Sequence, residues 1–485
     1  MPLAAAAGTP GLLTQRQRLA AAAFPAVALL VGVLAPRSRV AAALTLAGPM
    51  AAVASSVVLT RAAVAARAAT AAAHETTDGR PPAAAGPGPE PRNAQPHLSV
   101  LIPARDEAAV IGALIADLGR QDHRHADGTP LFEVILIDDR STDGTGDVAC
   151  AAFQAADLGA ASRVLRRQPG AAPGKGAALA DVPACELRGT AMVVLDADAR
   201  IDSGFLRRAA AILADGHAAA TARRRMLVPI GGKARQILAA VQDDEQTIDG
   251  TIQGGRWALR GGSEFRGDGS AIHLDALRDA GGWDAGALCE DLELSSRLFA
   301  ARGASVAWDP TFVVWEQPVV ELPALLRQRL RWAEGLVRRE LRVTPSVLAS
   351  SRLSIGQRAM VLVYSAQSLA PIAALGLLAR VRTRRARRLL IAVSAGYAAS
   401  AATLGTRSLG EWPSGHPLSG ARRQQGAIRL ARAVAVAGFS TTWLAVLPVA
   451  WLRVALQAGP PHFARTRHSR GFSDPPSAAD LAIER

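Results

Sequence analysis

Cysteine is scarce in this chain of 485 residues, and the three present, Cys150, Cys185 and Cys289, are odd in number and widely spaced. That pattern excludes a disulfide framework and a zinc site, and it fits a reducing compartment. Aromatic residues make up only 4% of a sequence that is 49% hydrophobic, so Ala, Val and Leu carry the apolarity. The composition is compatible with a globular core joined to membrane helices, and the length exceeds one ordinary domain. The net charge of +14 comes largely from arginine, much of it beside apolar segments rather than along one soluble face. An anionic membrane therefore fits as a partner. Nucleic acid does not, since nothing reads as a base-recognition motif.

Two apolar runs open the chain, Leu19 to Pro36 and Val40 to Thr60, each about long enough to cross a hydrocarbon core of roughly 30 Å. Only Arg37, Ser38 and Arg39 separate the main runs, so residues 1–70 read as a retained transmembrane hairpin rather than a cleaved signal peptide. Residues 71–96 are rich in Ala, Pro and Gly without an apolar period, which predicts a flexible tether. From His97 short strands alternate with helical stretches. Leu98 to Pro103 and Phe132 to Asp139 read as buried strands around a helix from Glu107 to Leu118, and Ala191 to Leu195 reads as a third strand. This βαβ pattern predicts an α/β domain over 97–345, with a mixed, mostly parallel sheet whose ligands sit at the carboxyl ends of its strands. Three more apolar runs follow, Ala359 to Ala379, Leu389 to Thr406 and Ala433 to Leu452. They fall in a region of interfacial and transmembrane helices, 346–458, ahead of a basic tail, 459–485.

Five polar constellations punctuate the α/β region. At Asp138-Asp139-Arg140-Ser141-Thr142-Asp143 a strand-end carboxylate can accept from the imide N–H of uracil, while Ser141, Thr142 and Asp143 can cap the next helix; a capping loop without a ligand is the alternative. At Asp196-Ala197-Asp198 two carboxylates one residue apart can hold Mg²⁺ or Mn²⁺ and bridge to substrate phosphates, against plain solvated turn chemistry. Gly267, Asp268, Gly269 and Ser270 permit close backbone approach and can bond sugar or acceptor hydroxyls, or form a simple turn. Glu290-Asp291 suits general-base chemistry, with Asp291 taking the proton of an incoming hydroxyl and Glu290 modulating it; an acidic helix start is the other reading. Gln328, Arg331 and Trp332 share a helical face where a guanidinium can neutralise a departing diphosphate and an indole can border a sugar pocket. A basic amphipathic helix on a membrane surface has the same pattern, and both can hold.

The ordered set Asp138-Asp139, Asp196-Ala197-Asp198, Glu290-Asp291 and Gln328-x-x-Arg331-Trp332 resembles the membrane-integrated inverting glycosyltransferases of family 2, and the combined order is far more specific than any one motif. The resemblance covers roughly His97 to Arg342. It implies a GT-A-type, Rossmann-like domain, a nucleotide-diphosphate sugar donor such as a UDP-sugar, a divalent metal and a β-linked product. By position, Pro103, Arg105 and Glu107 correspond to the first nucleotide loop, Asp139 to the uracil contact and Lys175 to a base or ribose contact. Asp196 corresponds to the nucleotide-facing carboxylate beside the metal, Asp198 to the metal ligand, Asp291 to the base, and Gln328, Arg331 and Trp332 to the diphosphate and acceptor channel. Arg140 stands where the family often has glycine, and Asp143 and Glu293 are expected to be structural.

Gln-x-x-Arg-Trp is usual in processive synthases of cellulose, hyaluronan and poly-N-acetylglucosamine. Gln328 to Gly335, with Trp315-Glu316 upstream, is also similar to bacterial β-glucosyl-diacylglycerol synthases. Few apolar runs follow, whereas a translocation channel needs a bundle with a polar interior. Single transfer to a membrane lipid acceptor is therefore the expectation, with elongation of a glycan acceptor as the enzymatic alternative and a non-catalytic nucleotide-sugar-binding scaffold as the alternative of another class. A nucleotide-sugar donor implies a cytoplasmic catalytic domain at the plasma membrane. If all three C-terminal runs cross, the arginines from Arg380 to Arg388 and Arg453, Arg465, Arg467 and Arg470 lie outside; keeping Ala359 to Ala379 in plane reverses this, as the positive-inside rule prefers. Two spans before and two after the domain are expected, with Ala359 to Ala379 undecided.

Overall fold

The computed structural model describes residues 12–76, 96–303, 306–409, 425–457, 463, 468 and 470–475. At the N-terminus α1 (Gln15–Leu34) is followed by α2 (Arg39–Thr76), which takes in the first residues of the expected tether; 77–95 lie outside the described residues, as do Arg465 and Arg467. The α/β unit runs β1 (Leu98–Ala104), α3 (Ile111–Gly119), β2 (Phe132–Asp138), α4 (Thr145–Ala155), β3 (Ser162–Arg166), α5 (Lys175–Ala180), β4 (Ala191–Val194) and α6 (Phe205–Ala214). It continues through β5 (Ala219–Met226), α7 (Lys233–Ala258), β6 (Ser270–His273), α8 (Leu274–Asp279), α9 (Glu290–Arg302), β7 (Ala307–Glu316) and α10 (Leu322–Arg342). Then come α11 (Thr344–Ala349), α12 (Ile355–Ala366), α13 (Ala370–Leu378), α14 (Arg384–Ser408), α15 (Gln425–Ser440) and α16 (Thr442–Leu456).

The sheet has the order β3-β2-β1-β4-β6-β5-β7, and only β6 runs antiparallel to its neighbours. This is the expected mixed, mostly parallel α/β architecture. Because both faces are covered, β1 and β2 are apolar at successive positions. Val100, Ile102, Val134 and Leu136 face a core with Ile111, Leu114, Phe153 and Phe205, whereas Leu101, Ile135 and Ile137 face Leu179, Leu294 and Leu298. The strand β5 was not legible as one. Its Arg223, Arg224 and Arg225 interrupt the apolar period, and Arg224 and Arg225 are neutralised in the fold, Arg224 by Glu316 of β7 and Arg225 by Asp243 of α7.

Three successive acids of α7 tie the α/β unit to the apolar helices. Neighbouring side chains on a helix diverge by about 100°, and these reach three elements. Asp243 accepts from Arg225 Nε of β5 at 2.9 Å, Asp244 accepts from Arg432 Nε of α15 at 3.0 Å, and Glu245 pairs with Arg329 of α10 at 2.5 Å. Arg329 is fully buried and its guanidinium lies 4.2 Å from the Phe439 ring and 4.9 Å from that of Trp443.

Among the described residues Gln15–Leu34, Arg39–Ala66, Arg384–Gly405 and Arg429–Leu456 are long and apolar enough to cross a bilayer, and α12 with α13 qualify together as a pair bent by 44°. Contacts define the two ends of this bundle. Ala35, Ala41, Leu377 and Ala386 cluster at the α1–α2 and α13–α14 turns, while Gly255 of α7 meets Leu59 of α2 toward the other end. The α15–α16 pair stays beside the α/β unit along its length: besides Arg432 and Phe439, Arg453 bonds Glu334 at 2.7 Å and Gln457 accepts from Arg338 at 2.6 Å. The tail returns to the same unit, with Ser473 N–H donating to the Val228 carbonyl at 2.9 Å and Asp474 pairing with Arg200 at 2.7 Å.

Helices α1 and α13 pack through glycine. A Cβ at Gly32 would overlap the Ala373 carbonyl oxygen, and one at Gly376 the Leu29 carbonyl oxygen, so the backbones approach as closely as small residues allow. Gly376→Ala should cost about 1–3 kcal/mol, read as a lower thermal unfolding midpoint of the detergent-purified chain. An unchanged midpoint would show that the two helices are not in this contact.

Candidate active site

The carboxyl ends of β1, β2 and β4 and the start of α9 open into one cavity of about 1510 Å³. It is lined by Pro103, Arg105, Glu107, Asp139, Lys175, Asp196, Asp198, Gly267, Asp268, Glu290, Asp291, Gln328, Arg331 and Trp332, so residues far apart in the sequence meet in one place. Two residues expected in the acceptor pocket are absent from that lining. Gly269 turns at φ 71° beneath Ala222, and Ser270 begins β6 with its hydroxyl donating to the Gly267 carbonyl at 3.2 Å; their role is to shape the turn that presents Gly267 and Asp268.

The loop after β2 departs from the expected helix cap. Thr142 N–H donates to Asp106 Oδ1 at 2.6 Å and Asp106 N–H to Ser141 Oγ at 2.9 Å, so Ser141 and Thr142 staple this loop to the one after β1. Asp143 accepts from Thr145 N–H at 3.0 Å at the start of α4. Arg140 has φ 59°, the left-handed region that favours glycine. Its Nε donates to Asp139 Oδ1 at 2.8 Å and its Nη1 to the Ala171 carbonyl at 2.7 Å, bonds a glycine would lack. Asp139 Oδ1 also accepts from buried Arg167 at 2.6 Å.

Lys175 stands between the two acidic motifs, 2.5 Å from Asp196 Oδ1 and 3.7 Å from Glu290 Oε1. Burial works against its ammonium, yet Asp196 and Glu290 hold it above the usual lysine value. Burial pushes the Glu290 carboxyl up to about 7, with Lys175 opposing and neighbouring Asp291 adding to the rise. Asp268 is raised well above the carboxylate range by burial and by Asp196, Glu316 and Asp198. Its Oδ1 accepts from Asp196 N–H at 3.0 Å, while its Oδ2 has no partner among the described residues. On α10, Trp332 lies under the Arg224 guanidinium at 5.6 Å, and Arg224 donates to Glu316 Oε2 at 3.1 Å.

A divalent cation fits this donor set. The orphaned Asp268 oxygen and the mutual repulsion of Asp196, Asp198 and Asp268 are what a cation relieves. No three His, Cys, Asp or Glu side chains among the described residues converge as a complete ligand group.

One contributor was invisible to sequence reasoning. His468, read only as part of a basic tail, has Nδ1 3.1 Å from both Glu107 carboxylate oxygens and Nε2 3.7 Å from Asp198 Oδ2. Burial disfavours its charge, but Asp198 and Glu107 raise it to about 9, so an imidazolium sits at the acidic pocket at neutral pH. Its partners lie 270 and 361 residues earlier, and no local motif announces them.

The model for "Glycosyltransferase like family 2" matches residues 96–335. These residues form a glycosyltransferase family 2 domain. Relatives agree with it. The β-monoglucosyldiacylglycerol synthase of Nostoc sp. is 32% identical over 250 residues, covering 51% of this chain and 50% of its own. The enzyme of the same name from Synechocystis sp. is 32% identical over 51% of this chain and 49% of its own, and the probable glycosyltransferase YdaM of Bacillus subtilis is 29% identical over 50% and 55%. The chain spans about half the length of these curated relatives. The solved mannosyltransferase PcManGT from Pyrobaculum calidifontis, in complex with GDP-Man and Mn²⁺, covers 82% of this chain and 99% of its own at 18% identity and a TM-score of 0.49.

Within the family 2 domain, Glu293 lies one helical turn beyond Glu290 and faces inward, with Arg342 at 3.5 Å. Burial raises its carboxyl to about 7 against the pull of Arg342, and Asp284 adds to the rise. A carboxyl raised above its ordinary 4.5 contributes stability that is full below that pH and is lost as the pH climbs through 7. Glu293→Gln should therefore be less pH-sensitive than the parent between those values, the gap changing by on the order of 3 kcal/mol. Thermal unfolding as a function of pH reads this; parallel curves would refute a structural, protonated Glu293.

Proposed function

We propose that the chain is a membrane-bound inverting hexosyltransferase that moves a sugar from a nucleotide-diphosphate sugar, a UDP-sugar first, to the hydroxyl of a membrane lipid, with diacylglycerol as the acceptor suggested by the relatives' name. One observation carries the reading: the cavity that holds Asp196, Asp198, Glu290, Asp291 and the Gln328, Arg331 and Trp332 face is continuous with a region walled by helices apolar enough to enter a bilayer.

In this reading Asp291 takes the proton of the acceptor hydroxyl as that oxygen bonds to the anomeric carbon. The bond from that carbon to the diphosphate oxygen breaks on the opposite face, so an α-linked donor yields a β-linked product. Arg331 and Gln328 meet the negative charge of the departing nucleoside diphosphate, and Trp332, held under Arg224, borders the sugar. Asp139, Pro103 and Arg105 line the nucleotide end, and Lys175 keeps Asp196 and Glu290 apart in charge. Asp198 and Asp196 would hold Mg²⁺ or Mn²⁺, which when bound neutralises developing charge on the diphosphate.

The contacts of α15–α16 with α7 and α10 support a topology in which α1, α2, α12–α13 and α14 cross while α15–α16 stays at the interface beside the family 2 domain, on its cytoplasmic side. In this reading Ala359 to Ala379, left undecided by the sequence, crosses, and Ala433 to Leu452, expected to cross, does not. By sequence, the stretch from Arg407 to Arg432 and the tail hold nine arginines against the six from Arg380 to Arg388, the balance the positive-inside rule prefers for this topology.

Mass spectrometry of products from the full chain in lipid nanodiscs, given a panel of UDP-sugars, diacylglycerol and Mn²⁺, tests this. A single-sugar lipid adduct is expected, and a mass ladder would instead identify a processive synthase. Asp291→Asn should lower transfer about 10²–10⁴-fold with donor binding kept; retained transfer would remove Asp291 as the base. Chelation with EDTA should abolish transfer, with Mn²⁺ or Mg²⁺ restoring it, and activity indifferent to chelation would exclude the metal.

A further inference from the structure

The cavity does not end at the acidic pocket. It continues along one face of α14, where Leu390, Val393, Tyr397, Ala401 and Leu404 recur at helical spacing, and is closed opposite by α15 at Ala433 and Val436. Among the described residues between α13 and α16 this lining has no Asp, Glu, Lys or Arg, whereas its other end carries the carboxylates and guanidinia described above. The whole volume, about 1510 Å³, exceeds the roughly 300–1,000 Å³ of a usual small-molecule site. An occupant that is polar at one end and hydrocarbon at the other matches this division of charge.

We infer that the uncharged groove between α14 and α15 receives the acyl chains of the lipid acceptor, entering sideways from the bilayer leaflet on the side of the family 2 domain. This inference rests on the lipid-acceptor reading above and names its subsite. Length supports it. Leu390 and Leu404 are fourteen residues apart, about 21 Å at 1.5 Å per residue, more than the roughly 15 Å depth of one leaflet of a 30 Å core. A full-length chain therefore fits along α14 while its glycerol hydroxyl remains at the mouth beside Asp291. The side faces of Ala398 and the neighbouring Ser394 are exposed, leaving the groove open laterally. Helix α2 packs on a neighbouring side of α14, with Ser400 Oγ donating to the Ala52 carbonyl and Gly396 against Pro49.

The test uses the full chain in nanodiscs with long-chain and dihexanoyl diacylglycerol as acceptors. Ala398→Trp and Ala401→Trp, which narrow the groove, should raise the ratio of kcat/KM for the short over the long acceptor by about tenfold. UDP affinity on the same samples reports a folded domain. Because a variant can fail to fold, the parent chain is also photolabelled with diacylglycerol bearing a diazirine in its acyl chain; label in α14 and α15 peptides, displaced by unlabelled diacylglycerol, is expected. An unchanged ratio in both folded variants, or label absent from α14 and α15 while the parent transfers sugar to diacylglycerol, overturns the groove and leaves the proposed reaction standing. Parent protein that transfers to no diacylglycerol of either length, while binding donor, overturns the lipid-acceptor reading and this inference with it.

Discussion

The arrangement of the molecule depends on the acidic row Asp243, Asp244 and Glu245. Each acid reaches a different element, β5, α15 or α10, and each partner is an arginine with little access to water. Buried pairs of this kind gain little net stability over a well-packed apolar contact, but breaking one strands a charge and costs about 3–5 kcal/mol. Their value is therefore orientational. With Arg329 held between Glu245 and the rings of Phe439 and Trp443, α10 has one permitted rotation, and that rotation turns Gln328, Arg331 and Trp332 into the cavity. The same row sets α15 beneath the domain, which makes the acidic pocket continuous with the uncharged groove.

Charge at the pocket is arranged with equal economy. Asp196, Asp198, Asp268, Glu290, Asp291 and Glu316 crowd one cavity, and their repulsion and desolvation appear as raised carboxyls at Asp268, Glu290 and Glu316. Lys175, Arg224 and His468 offset part of this from three separate elements. Under the proposed function, the remaining negative potential attracts a divalent cation, and the cationic face of α10 receives the diphosphate, so the imbalance tolerated in the fold is what the reaction uses.

Much of the fold and site could be read from the sequence because the signals were local. β1, β2 and β4 are apolar runs of strand length, and strand ends marked by Asp138-Asp139 and Asp196-Ala197-Asp198 fall where open α/β sheets bind ligands. The i, i+3, i+4 spacing of Gln328, Arg331 and Trp332 likewise defines one face of a helix. The misses have separate physical origins. Strand β5 hides because its arginines find acids on α7 and β7, and no period in β5 itself records those partners. Gly269 and Ser270 share a motif with Gly267 and Asp268 yet turn away, since a φ of 71° at Gly269 sends the chain into β6.

By itself, then, the sequence determined the α/β class, the strands β1, β2 and β4, the family 2 motif order and the presence of apolar helices, all of which arise from propensity, hydrophobic period and the chemistry of short runs. Tertiary structure decided which of the apolar helices lies under the domain, that His468 from the tail reaches Glu107 and Asp198, and that Arg329 is bound up with Glu245, Phe439 and Trp443. These depend on pairings across 84 to 361 positions of chain, and a charge buried in the fold is satisfied only by whichever distant partner the packing brings within hydrogen-bond reach.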